Sequence, residues 1–152
     1  MKLEIENVSL SIEDTLILEN LSLNVDEQEI ISLIGPSASG KSSLLRIIAG
    51  FENVDSGKVK LSGLVVDDRS RIVQPQNRNV GIIFQDLALF PHLSCKDNIL
   101  FGISNHSAAH NNQRLDRLCG LLDITSIIDK YPHEISGGQQ QRIAIARALA
   151  PG

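Results

Sequence analysis

A chain of 152 residues with 42% hydrophobic content is long enough to fold as one domain with a substantial core. Fourteen Lys and Arg against eighteen Asp and Glu leave a formal charge of −4, which disfavours a nucleic-acid surface because phosphate backbones are bound by a cationic field. No run nears the roughly eighteen apolar residues of a membrane span, and Met1-Lys2-Leu3-Glu4 opens with charge instead of a signal peptide, so a soluble, cytosolic chain is expected.

In chain order, Leu3, Ile5, Val8 and Leu10 alternate loosely as a first strand, and Leu21, Leu23 and Val25 alternate with Asn20, Ser22 and Asn24 as a second. The two predict a half-exposed antiparallel pair. Residues 30–34 read as a short strand buried on both faces, followed by Gly35-Pro36-Ser37-Ala38-Ser39-Gly40-Lys41-Ser42, which fits the phosphate-loop pattern G-x-x-x-x-G-K-[ST]. Two glycines permit the backbone to turn successive N–H groups inward around phosphate oxygens, and the next helix adds its positive end. Lys41 is placed to reach β- and γ-phosphates, Ser42 to put its hydroxyl on a magnesium ion, and Ser43 to add a donor. The helix that follows should turn Leu44, Leu45, Ile47 and Ile48 toward a core.

Asp55-Ser56-Gly57 is a turn that opens one or two strands over residues 58–66, and residues 69–79, polar and containing Pro75, read as a loop. Residues 80–84 are a second apolar strand, ending at Gln85; with residues 30–34 it predicts a parallel sheet. Phe90-Pro91-His92 interrupts regular structure, and Ser94 with Asp97 caps a short helix through Phe101. Residues 105–113 read as a polar linker. Leu115, Leu118, Cys119 and Leu122 then share one face of an amphipathic helix in a small helical subdomain that Tyr131-Pro132 closes. Cys95 and Cys119 lack C-x-x-C spacing and histidine partners, and read as reduced, packed thiols. Ser136-Gly137-Gly138-Gln139 precedes a helix over residues 140–150 with Ile145, Ala146 and Leu149 on its apolar side. A serine and two glycines at a helix start make a second anion site.

A phosphate loop alone leaves kinases, GTPases and helicases open. Ile135-Ser136-Gly137-Gly138-Gln139, however, resembles the Leu-Ser-Gly-Gly-Gln signature of the ATP-binding subunits of ATP-binding-cassette (ABC) transporters, with Ile135 in place of leucine. Residues 131–134 and 141–150 are similar to the importer form of that motif, and residues 81–92 resemble the importer version of the loop that carries the family's lid glutamine, here Gln85. The resemblance implies ATP and Mg2+ as cofactors, Lys41 and Gln85 as catalytic groups, and Ser42 and Gln85 as magnesium ligands. It implies nucleotide contacts from Gly35, Pro36, Ser37, Ala38, Ser39, Gly40, Lys41, Ser42 and Ser43, and from Ser136, Gly137, Gly138 and Gln139. Ile12 stands where the family usually places an aromatic residue against adenine, so stacking would give way to a weaker apolar contact.

The same resemblance implies a head-to-tail homodimer, in which the phosphate loop of one protomer and the signature of the other clamp each ATP. It further implies membrane-spanning permease subunits and, through them, a substrate-binding protein as partners, no nucleic acid, and a peripheral place on the cytoplasmic face of the cell (inner) membrane. Ala49-Gly50-Phe51-Glu52 with Leu89-Phe90-Pro91-His92-Leu93 resembles subunits serving ferric iron and, to a lesser degree, polyamines, sulfate or sugars. The expected fold is α/β: a P-loop NTPase core with a mixed or parallel sheet, an N-terminal antiparallel β part and a small helical subdomain. Residues 1–85 would form the β part and phosphate-loop core, about 86–135 the glutamine loop and helical subdomain, and 136–150 the signature and its helix. The family continues beyond this point into a strand carrying a magnesium-binding aspartate and a catalytic glutamate. The C-terminal part of the fold is therefore expected to be missing, and residues 1–152 alone to bind ATP without hydrolysis. The competing readings are a non-transport ABC ATPase acting on nucleic acid or the ribosome, and a module that binds nucleotide without turnover.

Overall fold

The alternating residues near the N-terminus form the antiparallel pair they predict: β1 spans Leu3–Ile12 and β2 spans Thr15–Val25. The chain then pairs β1 on its other side with β3, Ser56–Leu61, and β3 with β4, Leu64–Asp67, giving a four-stranded sheet in the order β2-β1-β3-β4. Ile5 sits opposite both Leu23 and Val59, so apolar side chains from three strands meet in one layer. Helix α1, Lys41–Ala49, packs Leu44 and Ile47 into the same core. Burying each such side chain contributes about 1.5–3 kcal/mol. Leu45, expected in the core, is instead 49% exposed, beside Leu44 on the wall of an open cavity.

The computed structural model describes residues 2–103 and 108–151. They fall into two compact units, Met1–Val80 and Gly81–Gly152. The α/β class holds, but every strand pair of the described sheet is antiparallel. The parallel strands expected at residues 30–34 and 80–84 are not formed, since a strand exists through a hydrogen-bonded neighbour and neither segment joins the described sheet. Nor are residues 30–34 buried on both faces. Ile30 and Ile34 are each 95% exposed, and Ile31 and Leu33, each still 38% exposed, line a cavity of about 510 Å³ with Leu3, Leu23, Val25 and Leu44.

Arg78 ties the first unit together. Its side chain is fully buried, with Nε donating to the Val73 carbonyl at 2.7 Å, Nη1 to the Ile47 carbonyl at 2.6 Å and Nη2 to the Val66 carbonyl at 3.3 Å. The Asp67 carboxylate lies 3.7 Å away, also fully buried, and accepts the Val54 and Arg69 N–H groups. Burial lowers the pKa of the guanidinium from its ordinary value while Asp67 raises it, so the pair carries its own compensation. Gly50 makes room for it: the residue adopts φ 89° at the end of α1, and a Cβ there would lie 2.6 Å from the Arg78 Nε.

The second unit is helical. Helix α2 spans Cys95–Leu100, α3 Ala108–Leu122 and α4 Gly137–Leu149, and their buried residues include Cys95, Ile99, Leu115, Leu118, Cys119, Ile143 and Ala146. Ser94 caps α2 as expected, accepting the Asp97 N–H. Two boundaries differ from the sequence reading. Residues 108–113 belong to α3 instead of a linker, with His110, Asn112 and Gln113 exposed on its solvent face; residues 105–107 of that expected linker lie outside the described residues. Helix α4 begins at Gly137, and its buried side is Ile143, Ala144 and Ala146, with Leu149 45% exposed. Burial raises the pKa of the Cys95 and Cys119 thiols from the ordinary value, which keeps both protonated and unreactive at neutral pH.

Removing Arg78 leaves Asp67 as an uncompensated buried charge. Arg78→Ala is therefore expected to cost about 3–5 kcal/mol of stability in urea unfolding, the range for breaking a buried pair. A loss below about 1 kcal/mol would show that the pair does not hold α1 to the sheet.

Candidate functional site

Residues 35–40 form a tight loop that ends in the first turn of α1. Two positions bend it: Ala38 at φ 63° and Gly40, the residue before the helix, at φ 84°. Gly40 has a second reason to be glycine, since a Cβ there would come within 2.7 Å of Leu18 on β2 and 3.0 Å of the Ile17 carbonyl. The loop therefore rests directly on the sheet. Lys41 folds back into the loop, where its ammonium donates to the Gly35 carbonyl at 3.0 Å, the Pro36 carbonyl, and the Ser39 hydroxyl at 3.2 Å. Three oxygens thus centre one positive charge inside the ring of the loop.

Helix α1 has no side-chain cap on its N-terminus and no acidic residue in its first turn, whereas Ser94 and Ser136 cap α2 and α4. Its leading N–H groups and positive dipole end accordingly face a cavity of about 200 Å³ lined by Ile17, Ala38, Ser39, Gly40, Lys41, Ser42 and Ser43. Such a cradle suits phosphate oxygens. The seven lining residues bring one ammonium and three hydroxyls, a donor set that also fits a magnesium-bound phosphate through the Ser42 oxygen. Gly35, Pro36 and Ser37 complete the loop outside that lining, with Gly35 and Pro36 contributing the carbonyls that hold Lys41. Ile12 ends β1, paired with Thr15 across the hairpin and 41% exposed. The cavity's apolar wall is Ile17, which the sequence reading did not single out. The run Leu16-Ile17-Leu18, inside β2, was the available signal.

Ser136 precedes α4 in a reciprocal cap: its Oγ accepts the Gln139 N–H at 3.4 Å and its N–H donates to the Gln139 side-chain oxygen at 2.9 Å. Gln139 is thereby committed to the cap through its oxygen. Gln140 adds a brace, donating to the Pro132 carbonyl at 2.8 Å. Gly137 and Gly138 are exposed, and a Cβ at either would meet nothing within 4 Å. Internal packing does not require these glycines, although each costs a helix about 0.5–1 kcal/mol relative to alanine.

Gln85 is exposed and opens a turn in which Leu87 and Ala88 stand consecutively in the left-handed region, at φ 61° and 45°. Each such residue costs about 1–2 kcal/mol, so the turn must be held by its surroundings. Gln85 and Ser136 belong to the second unit, and Lys41 and Ser42 to the first.

The loop geometry yields a direct test. Gly40→Ala forces an L side chain into a left-handed site and against Leu18, so it is expected to destabilise the protein by about 1–3 kcal/mol. The same variant should weaken phosphate binding by loosening the loop on β2; wild-type thermal stability and unchanged pyrophosphate affinity by calorimetry would contradict the close packing.

Comparison with known proteins agrees with this geometry. The ABC transporter family profile matches residues 18–152. The Fe(3+) ions import ATP-binding protein FbpC 2 of Pectobacterium atrosepticum is 44% identical over 149 residues, covering 97% of this chain and 43% of that protein. The spermidine/putrescine import ATP-binding protein PotA of Thermotoga maritima is also 44% identical, covering 98% of this chain and 40% of that protein. The chain thus spans well under half the length of these two curated relatives. Among solved structures, the dimeric post-hydrolysis state of the ATP-binding cassette MJ0796 bound to ADP and Pi superposes with a TM-score of 0.81 at 31% identity, covering 98% of this chain and 69% of that one. With a family match over most of its length and this structural likeness, the chain belongs to the ABC transporter family.

Proposed function

We propose that this chain is the nucleotide-binding part of an ATPase that powers an ABC importer. The observation that carries the proposal is Lys41, centred by three oxygens in a loop whose following helix has no side-chain cap. In this reading ATP places its β- and γ-phosphates in the cavity before α1, where Lys41 exchanges loop oxygens for phosphate oxygens and the α1 N–H groups of Ser42 and Ser43 donate. Magnesium, when bound, neutralises charge between those phosphates. The Ser42 hydroxyl would hold it. Ile12 and Ile17 would give the base an apolar contact in place of an aromatic stack.

The second half of the proposal concerns Ser136, Gly137, Gly138 and Gln139. Two exposed glycines that no internal neighbour demands make sense where a phosphate comes close to backbone N–H groups from outside. The partner is a second copy arranged head to tail, consistent with a related cassette solved as a dimer. Permease subunits, and a substrate-binding protein beyond them, complete the proposed machine. No described helix is long and apolar enough to cross a membrane, so the proposed membrane association runs through the permease. Residues 1–152 on their own are proposed to bind ATP without turning it over, supported by a loop cavity whose lining carries no carboxylate to orient water.

Ferric iron is the proposed cargo, supported by the iron-import relative. Two measurements test the pair of claims. Lys41→Ala is expected to raise the Mg-ATP dissociation constant at least about tenfold in calorimetry, since the ammonium is the loop's mobile charge; equal affinity would remove the loop from its role. In vesicles containing the full-length protein with its permease, ATP-driven uptake of chelated Fe(III) should exceed that of spermidine or sulfate. Faster spermidine uptake would replace iron with polyamine.

A further inference from the structure

The turn after Gln85 is held by side chains from two helices of the second unit. From α4, Arg147 donates through Nη1 to the Ala88 carbonyl at 2.7 Å and through Nη2 to the Leu87 carbonyl at 2.9 Å. Its guanidinium also lies over the Phe90 ring, 5.4 Å from the centroid. From α2, the fully buried Asn98 accepts the Phe90 N–H at 2.9 Å and donates to the carbonyls of Phe90 and Leu93 at 3.0 and 3.1 Å.

Both arginine bonds fall on the two residues with left-handed backbone. A turn of that shape directs consecutive carbonyls to one side, where regular structure offers no donor for them. A planar fork with two N–H edges meets two adjacent carbonyls at once, and ring stacking fixes its plane; a lysine ammonium has neither property. Asn98 clamps the far end of the same loop, so Arg147 acts on the end nearer Gln85. Gln85 itself is exposed and reaches outward from the held turn.

We propose that Arg147 is the positioning residue for Gln85, setting the direction of its side chain through the Leu87 and Ala88 carbonyls. The proposal rests on the reading of Gln85 as the lid glutamine of an ATP site. Arg147 touches no nucleotide in this scheme. Its loss leaves the phosphate loop intact and frees the turn, so ATP still binds while the glutamine loses its fixed direction.

The test uses the full-length protein with a nitroxide label on Asp86→Cys, the buried Cys95 and Cys119 thiols remaining unmodified. A second label on Asp116→Cys, exposed on α3, is the control. In Arg147→Met the spectrum at position 86 is expected to sharpen, with the label's rotational correlation time falling at least about twofold, while the control is unchanged. Turnover should fall about tenfold or more with KM for ATP held within about twofold. Arg147→Lys, which keeps the charge but offers one ammonium for two carbonyls, should fall between wild type and Arg147→Met, and it carries the test if circular dichroism shows Arg147→Met unfolded. Unchanged spectra and turnover in a folded variant would overturn the positioning role alone. Absence of ATP turnover by the wild-type protein would instead overturn the reading of Gln85 and with it the proposal.

Discussion

A buried guanidinium decides where the phosphate loop can sit. Arg78 gathers the carbonyls of Ile47 and Ile48 at the end of α1, of Val66 on β4 and of Val73 beyond it, with Asp67 alongside to offset the charge. Backbone bonds already join β4 to the Val73 stretch, the Val73 N–H donating to the Val66 carbonyl at 2.8 Å, and the bonds from the Arg78 side chain tie the end of α1 to both. Helix α1 is nine residues long. Pinning its C-terminal end at Arg78 and its N-terminal end at Gly40 against β2 fixes the rod at both ends. The loop inherits that placement.

The two loops that matter are stabilised by opposite strategies. Residues 35–40 are held from within, by a lysine that bonds the loop's own oxygens, so the fold leaves a site that a competing anion can enter by exchange. The turn after Gln85 is held from outside, by Arg147 and Asn98 on separate helices, so its shape follows whatever those helices do. The self-held loop tolerates movement around it, and the borrowed one reports it.

Local patterns in the sequence were legible where they needed only neighbours in the chain. The alternation in β1 and β2, the Ser94 cap and the face Leu115, Leu118 and Cys119 all follow from periods of two or three to four residues, and the glycine-bounded loop was visible as a spacing. What escaped depended on distant partners. The apolar run at residues 30–34 looks like a strand, but pairing is a property of two segments, and Ile30 and Ile34 stand exposed. Arg78 in a polar loop gave no hint of burial, because its acceptors are backbone carbonyls, which every sequence has. Arg147 was equally silent, and Ile17 was passed over because the second strand seemed to begin further on.

The contrast between the starts of α1 and α4 carries a thermodynamic meaning. Ser136 and Gln139 close off α4 with atoms of the chain, so that helix end is as stable without a ligand as the fold can make it. Helix α1 opens with Gly40 and no side-chain acceptor, leaving its first amides to water. An anion seated there would act as the missing cap, stiffening the first turn and slowing exchange of those amide protons with solvent. Occupancy would then be stored as local order in a helix whose other end is anchored by a buried charge, and affinity would be drawn partly from ordering that the polypeptide alone leaves incomplete.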